Sequence, residues 1–309
     1  MITTSIVQPG EIERPAGEIP FLHIPERGWI FRDRAERLRT LAQGHTLKEL
    51  LLFAANVCDA QQAALHIFPD VALPLEAQLR LCREHGMPPL SVQSWRRDRA
   101  WQHALCQITA RVEDHVNQTA RETLARLRRM DGDSLEALAD AILSGRYEKI
   151  DLAVAPFVAA ALQVYWTHMA TALGERAFDR SDIVNLCPVC ASHPVASIMR
   201  IGGSEQGLRY LCCSLCETQW HMVRVKCSNC ESTKGISYFM IEGTSSAVRA
   251  ETCDECGSYL KIMYMDKDPN VDPVADDLAT LALDLMMGDS GVLRSGPNLF
   301  LMTTSETAA

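Results

Sequence analysis

Eight of the twelve cysteines stand in four CxxC pairs: Cys187/Cys190, Cys213/Cys216, Cys227/Cys230 and Cys253/Cys256. Each half of this set reads C-x2-C-x22-C-x2-C, and a shift of 40 residues lays one half on the other. The same shift sets Ile201 on Ile241, Gly203 on Gly243 and Arg209 on Arg249, so an internal duplication giving two tandem modules is the simplest origin. A CxxC turn carries two thiolates to one face with backbone N–H groups aimed at the sulfurs. Two such turns facing each other complete a tetrahedral S4 metal site. By softness and geometry these ligands suit zinc and a single iron equally. Each module spans only about 30 residues between its outer ligands, too few for a useful core, so metal is expected to supply much of its folding free energy.

Thiol redox catalysis is the competing chemistry of a CxxC pair. A thioredoxin-like enzyme uses one pair in a strand-to-helix turn, whereas four pairs in a repeated register point to metal. Cys212 and Cys213 compete for the same place, and the repeat selects Cys213, because it aligns with Cys253 while Cys212 aligns with Thr252. Cys212 is then a small residue at a strand end, with a redox or exchange role as its alternative. Cys58, Cys82 and Cys106 read as small buried hydrophobes in helices. His193 and His221 flank the knuckles but are not needed as ligands where eight cysteines suffice. GxSxG, HExxH, Walker A and GxGxxG patterns are absent from the sequence, and the glycine-rich run from Gly202 reads as a hairpin turn because no helix follows it.

The elements that must hold these ligands are legible around them. Over residues 31–180 the pattern is helical, with about six segments and no convincing strand. Phe31, Ala35, Leu38 and Leu41 share one face, and Thr46 with Glu49 is expected to cap the next helix. The stretch from Asp98 to Met130 reads as one long helix closed by Asp131-Gly132, and Asp133 or Ser134 as the start of the next. Leu152 to Gly174 carries no charged residue, long enough to span a bilayer. Its alanines, Gln163, His168, two threonines and Pro156 favour instead a central helix enclosed by protein, without membrane insertion. Residues 181–224 and 225–266 hold short β-prone runs between turns and form the two modules. Residues 267–309 return to one helix from Pro273 to Gly288, followed by a loose tail, and residues 1–30, with four prolines, read as an extended surface arm.

With 309 residues, 47% hydrophobic and 22% charged, the chain is neither a disordered tail nor a disulfide-stapled miniprotein. Its first residues show no basic run followed by an apolar stretch, so a reducing, cytoplasmic setting is expected and paired thiols read as ligands rather than disulfides. Charge is uneven: 21 basic against 23 acidic residues lie up to Arg180, and 9 against 16 from Ser181 on. That acidity argues against a nucleic-acid-binding ribbon protein, the third reading of such modules. The arginine runs at Arg32, Arg34, Arg37 and Arg39, at Arg96, Arg97 and Arg99, and at Arg126, Arg128 and Arg129 alternate with acids and read as solvated or protein-docking helix faces.

The stretches RDRAERLRTLA, FAANVCDAQQAAL, NLCPVCASHPVASIMRIGGSEQGLRYLCCSLCETQWHMVRVKCSNC and VDPVADDLATLALDLMMGDSG together resemble the formate dehydrogenase accessory (formation) protein family, FdhE, and the resemblance runs over nearly the whole chain. It implies an α+β protein: an all-α N-terminal helical domain, two tandem rubredoxin-like (zinc-ribbon-like) S4 modules and a C-terminal helix. It further implies iron, with zinc as the alternative, one per module, on Cys187, Cys190, Cys213, Cys216, Cys227, Cys230, Cys253 and Cys256. The implied role is a cytoplasmic assembly factor rather than an enzyme. Such a factor contacts the catalytic subunit of respiratory formate dehydrogenase before the twin-arginine pathway exports it. The helical part and the acidic C-terminal helix are expected to supply the docking surface, and self-association is compatible with this picture. A rubredoxin-like redox protein acting on the partner's cofactor site is the alternative. One departure stands out: a rubredoxin knuckle carries glycine after its second cysteine, where φ is positive, and only Gly257 fits. Ala191, Glu217 and Glu231 occupy the other three places, which is expected to weaken the knuckle geometry there.

Overall fold

A computed structural model describes residues 19–302, apart from Asp182, Thr244 and the side chain of Lys149. The first part is helical: α1 (Ile30–Leu41), α2 (Lys48–His66), α3 (Glu76–Glu84), α4 (Ala100–Val112), α5 (Gln118–Leu127), α6 (Gly132–Leu143) and α7 (Ala155–Leu173). α7 is the axis of this bundle. Every residue from Phe157 to Ala170 is buried, and α2, α4 and α6 pack around it. Pro156 occupies its first turn, where a missing N–H costs nothing, and Gly174 at φ 72° ends it. Among the described residues no helix is long and apolar enough to cross a membrane.

Three boundaries differ from the sequence reading, each for a capping reason. The segment read as one long helix breaks: α4 ends at Val112, a 3₁₀ turn covers Glu113–His115, and Asn117 caps α5 by accepting from the Ala120 N–H at 2.9 Å. Asp131 begins α6 rather than closing the preceding helix, since its carboxylate accepts from the N–H groups of Asp133 and Ser134. Thr46 does not cap α2. Leu47 holds that position, and no side-chain oxygen serves the first turn.

Beyond the bundle the chain builds one sheet. Its strands are β1 (Leu22–His23), β2 (Pro194–Met199), β3 (Arg209–Cys213), β4 (Gln219–Met222), β5 (Ile236–Phe239), β6 (Val248–Cys253), β7 (Ser258–Tyr264) and β8 (Leu293–Arg294), in the order β1-β4-β3-β2-β7-β6-β5 with β8 also on β7. β2-β3-β4 and β5-β6-β7 are two antiparallel meanders that a 40-residue shift superimposes, as the duplicated cysteines require. They are fused by parallel pairing of β2 with β7, from Ser197↔Ile262 to Met199↔Tyr264. Arg209, fully buried, reinforces the junction: it donates to the carbonyls of Arg224 and Lys226 in the connecting segment and pairs with Glu251 at 2.7 Å. Residues 1–18 of the expected surface arm lie outside the described residues. Its remainder joins the sheet edge, with Leu22 buried opposite Trp220.

The C-terminal part departs most from expectation. The single helix read from Pro273 to Gly288 is two, α8 (Ala275–Ala279) and α9 (Leu281–Asp289), broken at Thr280. The fully buried Lys261 ammonium donates to the carbonyls of Asp277 and Thr280 at the break and pairs with Asp284 at 2.6 Å. Nor is the tail loose through residue 302. β8 pairs with β7, Arg294 binds Asp277 and Asp284, and Leu299 and Phe300 are buried. The acidity of this region is therefore used internally. Asp276 and Asp277 are buried and ion-paired, so α8 does not present the acidic docking face that its composition suggested.

Candidate metal centres

The fold brings the eight cysteines into two separate groups of four, Cys187/Cys190/Cys213/Cys216 and Cys227/Cys230/Cys253/Cys256, with all sulfurs of each group within 4.8 Å of one another. In the first, Cys187 lies 3.5 Å from Cys216 and Cys190 lies 3.4 Å from Cys213. In the second, Cys227–Cys256 and Cys230–Cys253 are both 3.7 Å apart. A tetrahedron of thiolates at metal–sulfur distances of about 2.3 Å has edges of about 3.8 Å, so both groups have the dimensions of an S4 site.

Each knuckle is shaped by backbone bonds that follow from its turn. In the first cluster Cys187 N–H donates to the Ser192 carbonyl and Cys213 N–H to Thr218. Leu215 and Cys216 N–H groups point at the Cys213 sulfur at 3.3 and 3.4 Å, as those of Asn229 and Cys230 point at Cys227. The residue after each second cysteine is left-handed: Ala191 at φ 61°, Glu217 and Glu231 at 64°, Gly257 at 63°. The expected weakening at the three non-glycine turns is therefore not seen in the geometry. The turn imposes the conformation on side chains that do not favour it, at roughly 1–2 kcal/mol each.

What holds the first cluster is not local. Leu90 and Val92 donate their N–H groups to the carbonyls of Val189 and Cys190, both at 2.9 Å. That loop is fastened to α7, since Leu90 accepts from Trp166 Nε1 and Tyr165 Oη accepts from Trp95 Nε1 and the Asp98 N–H. Gln163 of α7 donates to the Ser214 carbonyl at 2.8 Å. Arg34 of α1, only 1% exposed, grips the Glu217 carboxylate through two nitrogens at 2.9 and 2.6 Å and reaches Asp272 at 3.0 Å. Arg34 and Arg37, the latter on Asp268 and Asp276, thus form an internal seam, whereas Arg32 and Arg39 of the same run stay on the solvated side of α1 as expected. Leu90, Gln163 and Arg34 have no sequence signal tying them to the cysteines.

The thiols within each cluster are electrostatically unequal. Burial pushes the thiols of Cys187 and Cys213 well up. At Cys190 burial pushes the same way, but hydrogen bonds from the neighbouring thiols and Ser192 outweigh it and hold the group well below the ordinary thiol range. In the second cluster burial opposes ionisation of Cys256, yet bonds from Ser258, Asn229 and Cys230 hold it down to about 6, while burial pushes Cys253 up to about 12. In each cluster one thiol is thus held below a neighbour, Cys190 below Cys187 and Cys213 in the first and Cys256 below Cys253 in the second.

The two clusters differ in cover. All four cysteines of the first are buried, whereas in the second Cys230 is exposed and Cys256 half-buried. Outside the clusters, Cys212 is buried in the sheet opposite Ala196 and Gln219, and burial raises its thiol strongly, which fits the inert reading. Cys58 is buried as expected, but Cys82 is only half-buried and Cys106 exposed, because each sits on the outer side of its helix. His193 and His221 belong to neither cluster. His221 stands edge-on to Tyr210, ring centres 5.7 Å apart.

A helical bundle braced against a duplicated sheet with two four-cysteine clusters defines an α+β protein organised around paired S4 sites. Family models described as FdhE, N-terminal, FdhE, central domain, and FdhE, C-terminal domain match residues 19–181, 186–224 and 225–301. The chain is 46% identical to a protein FdhE homolog of Edwardsiella ictaluri over 92% of both chains. It is 42% identical to one of Pseudomonas aeruginosa, covering 99% of this chain and 100% of that one. It is also similar to the crystal structure of the FdhE protein from Pseudomonas aeruginosa, with a TM-score of 0.84 and 41% identity, covering 91% of this chain and 99% of that one. The chain belongs to the FdhE family.

Proposed function

We propose that this protein is an accessory factor in the maturation of respiratory formate dehydrogenase, with one metal ion held in each four-cysteine cluster. The pair of S4-sized clusters in a chain of this family is the observation that carries the reading. Cys187, Cys190, Cys213 and Cys216 hold one ion and Cys227, Cys230, Cys253 and Cys256 the other, iron in the rubredoxin-like assignment and zinc in the alternative. The protein acts in the cytoplasm, binds the catalytic subunit before its twin-arginine export, and assembles rather than turns over a small molecule. The test is complementation. In a strain lacking this protein, the wild-type chain should restore formate-dependent dye reduction and retain the catalytic precursor on affinity purification. A Cys187→Ser/Cys190→Ser variant that restores both would sink the proposal.

A second reading, electron exchange with the partner's cofactor site, is favoured by one observation: the exposure of Cys230 brings a ligand of the second cluster to the surface. An S4 iron cycles between Fe(III) and Fe(II), whereas zinc does not, so a reversible one-electron wave in voltammetry separates this reading from pure docking.

A further inference from the structure

We propose that the two clusters divide the work: Cys187/Cys190/Cys213/Cys216 is a permanent site that joins the sheet to the helical bundle, and Cys227/Cys230/Cys253/Cys256 exchanges its metal through Cys230. The inference rests on the metal-binding reading above and adds a role for each site. Ligand type, spacing and left-handed turns are the same in both, and the sulfur separations of 3.4–3.5 Å and 3.7 Å are close, so their coordination chemistry is alike. The difference lies in what surrounds them.

The inner cluster is clamped from three directions by the bundle: the Leu90–Val92 loop on its first knuckle, and Gln163 and Arg34 on its second. All its sulfurs are buried, so an incoming ligand reaches the ion only after the sheet and bundle part, which breaks the buried Arg34–Glu217 pair. The bonds around the outer cluster are lighter. Asn185 donates to the Asn229 carbonyl, Leu293 N–H to the Gly257 carbonyl, and the Lys226–Glu231 pair lies on the partly exposed side of its first knuckle. There Cys230 already faces solvent. A thiolate or chelating ligand can approach from that side with the fold intact. Exchange then breaks the metal–Cys230 bond and forms one to the incoming ligand. Cys230 leaves as a thiolate and takes a proton from water, and nothing is oxidised.

The experiment uses the full chain loaded anaerobically with Zn2+ and mixed with excess 4-(2-pyridylazo)resorcinol, with release followed by absorbance. Two phases of one equivalent each are expected, with rates separated at least about tenfold. Cys227→Ser/Cys230→Ser should lose the fast equivalent and keep the slow one, and Arg34→Met should accelerate only the slow one. Release of both equivalents in a single phase would overturn the division of roles, as would a fast phase that survives in Cys227→Ser/Cys230→Ser. A wild-type chain that takes up no zinc would instead overturn the metal-binding reading beneath it.

Discussion

Arg34→Met is the sharpest perturbation of the seam between bundle and metal module. The guanidinium makes two bonds to Glu217 and two to Asp272, and the Glu217 side chain is itself only 5% exposed. Removing the cation leaves one wholly buried carboxylate without its partner, and breaking a buried pair from one side costs about 3–5 kcal/mol. Burial already raises the Glu217 carboxyl, against the opposing pull of Arg34. Without Arg34 it rises further, so the folded variant holds a proton that the unfolded chain has released. Native protein then binds more protons than unfolded protein, and stability falls as pH climbs above the ordinary carboxylate range of about 4.3. The loss should therefore be larger at pH 8 than at pH 5. Arg34→Met/Glu217→Gln removes the stranded charge and should recover more than half of it, since Asp272 can still reach water. Urea unfolding under anaerobic conditions, followed by circular dichroism at both pH values, reads the effect. A loss under about 1 kcal/mol, or a double variant no better than the single, would refute the reasoning.

Other outcomes follow from the same structure. His168 accepts from Arg27 at 2.6 Å, and burial together with that arginine holds its imidazole down to about 4, so it folds neutral. Its contribution to stability is complete above its ordinary value of 6.5 and is lost as pH falls from there toward 4; His168→Gln should flatten the urea midpoint over that window. Glu231→Gly relieves a left-handed residue whose carboxylate pairs with Lys226 near the surface, and should raise stability by up to about 1 kcal/mol in the same urea assay. Glu217→Gly, at the same backbone conformation, should lower it, because the buried Arg34 loses one of its two carboxylate partners. A Cβ on Gly296 would stand 1.8 Å from the Pro194 carbonyl oxygen, so Gly296→Ala should detach the C-terminal segment at a cost of about 1–3 kcal/mol, seen as faster amide exchange in β8.

The cysteine ligand sets were legible because metal chemistry writes itself into short spacings, and the duplication followed from the same register. The central helix was legible for a similar reason: an uncharged alanine-rich run with polar side chains suits only a protein interior. Long-range pairing left no such trace. Arg34 lies 183 positions from Glu217 and 238 from Asp272, so in sequence it looks like any arginine on an amphipathic helix. The fusion of the modules depends on β2 meeting β7 in parallel, which neither strand's composition encodes. The acidic C-terminal helix read as a docking surface because the cations that answer Asp276 and Asp277, Arg37 on α1 and Lys261 on β7, lie elsewhere in the chain. The exposure of Cys230 likewise has no signature in its spacing, which matches that of the buried Cys190.

The account stands or falls on metal content per chain, measured by elemental analysis with an absorption spectrum on protein purified anaerobically. It predicts about two ions in the wild type and about one in each of Cys187→Ser/Cys190→Ser and Cys227→Ser/Cys230→Ser, with thiolate-to-metal charge-transfer bands if the metal is iron. A wild-type protein that is folded, carries all eight thiols free to a thiol reagent, and holds no stoichiometric metal would contradict it.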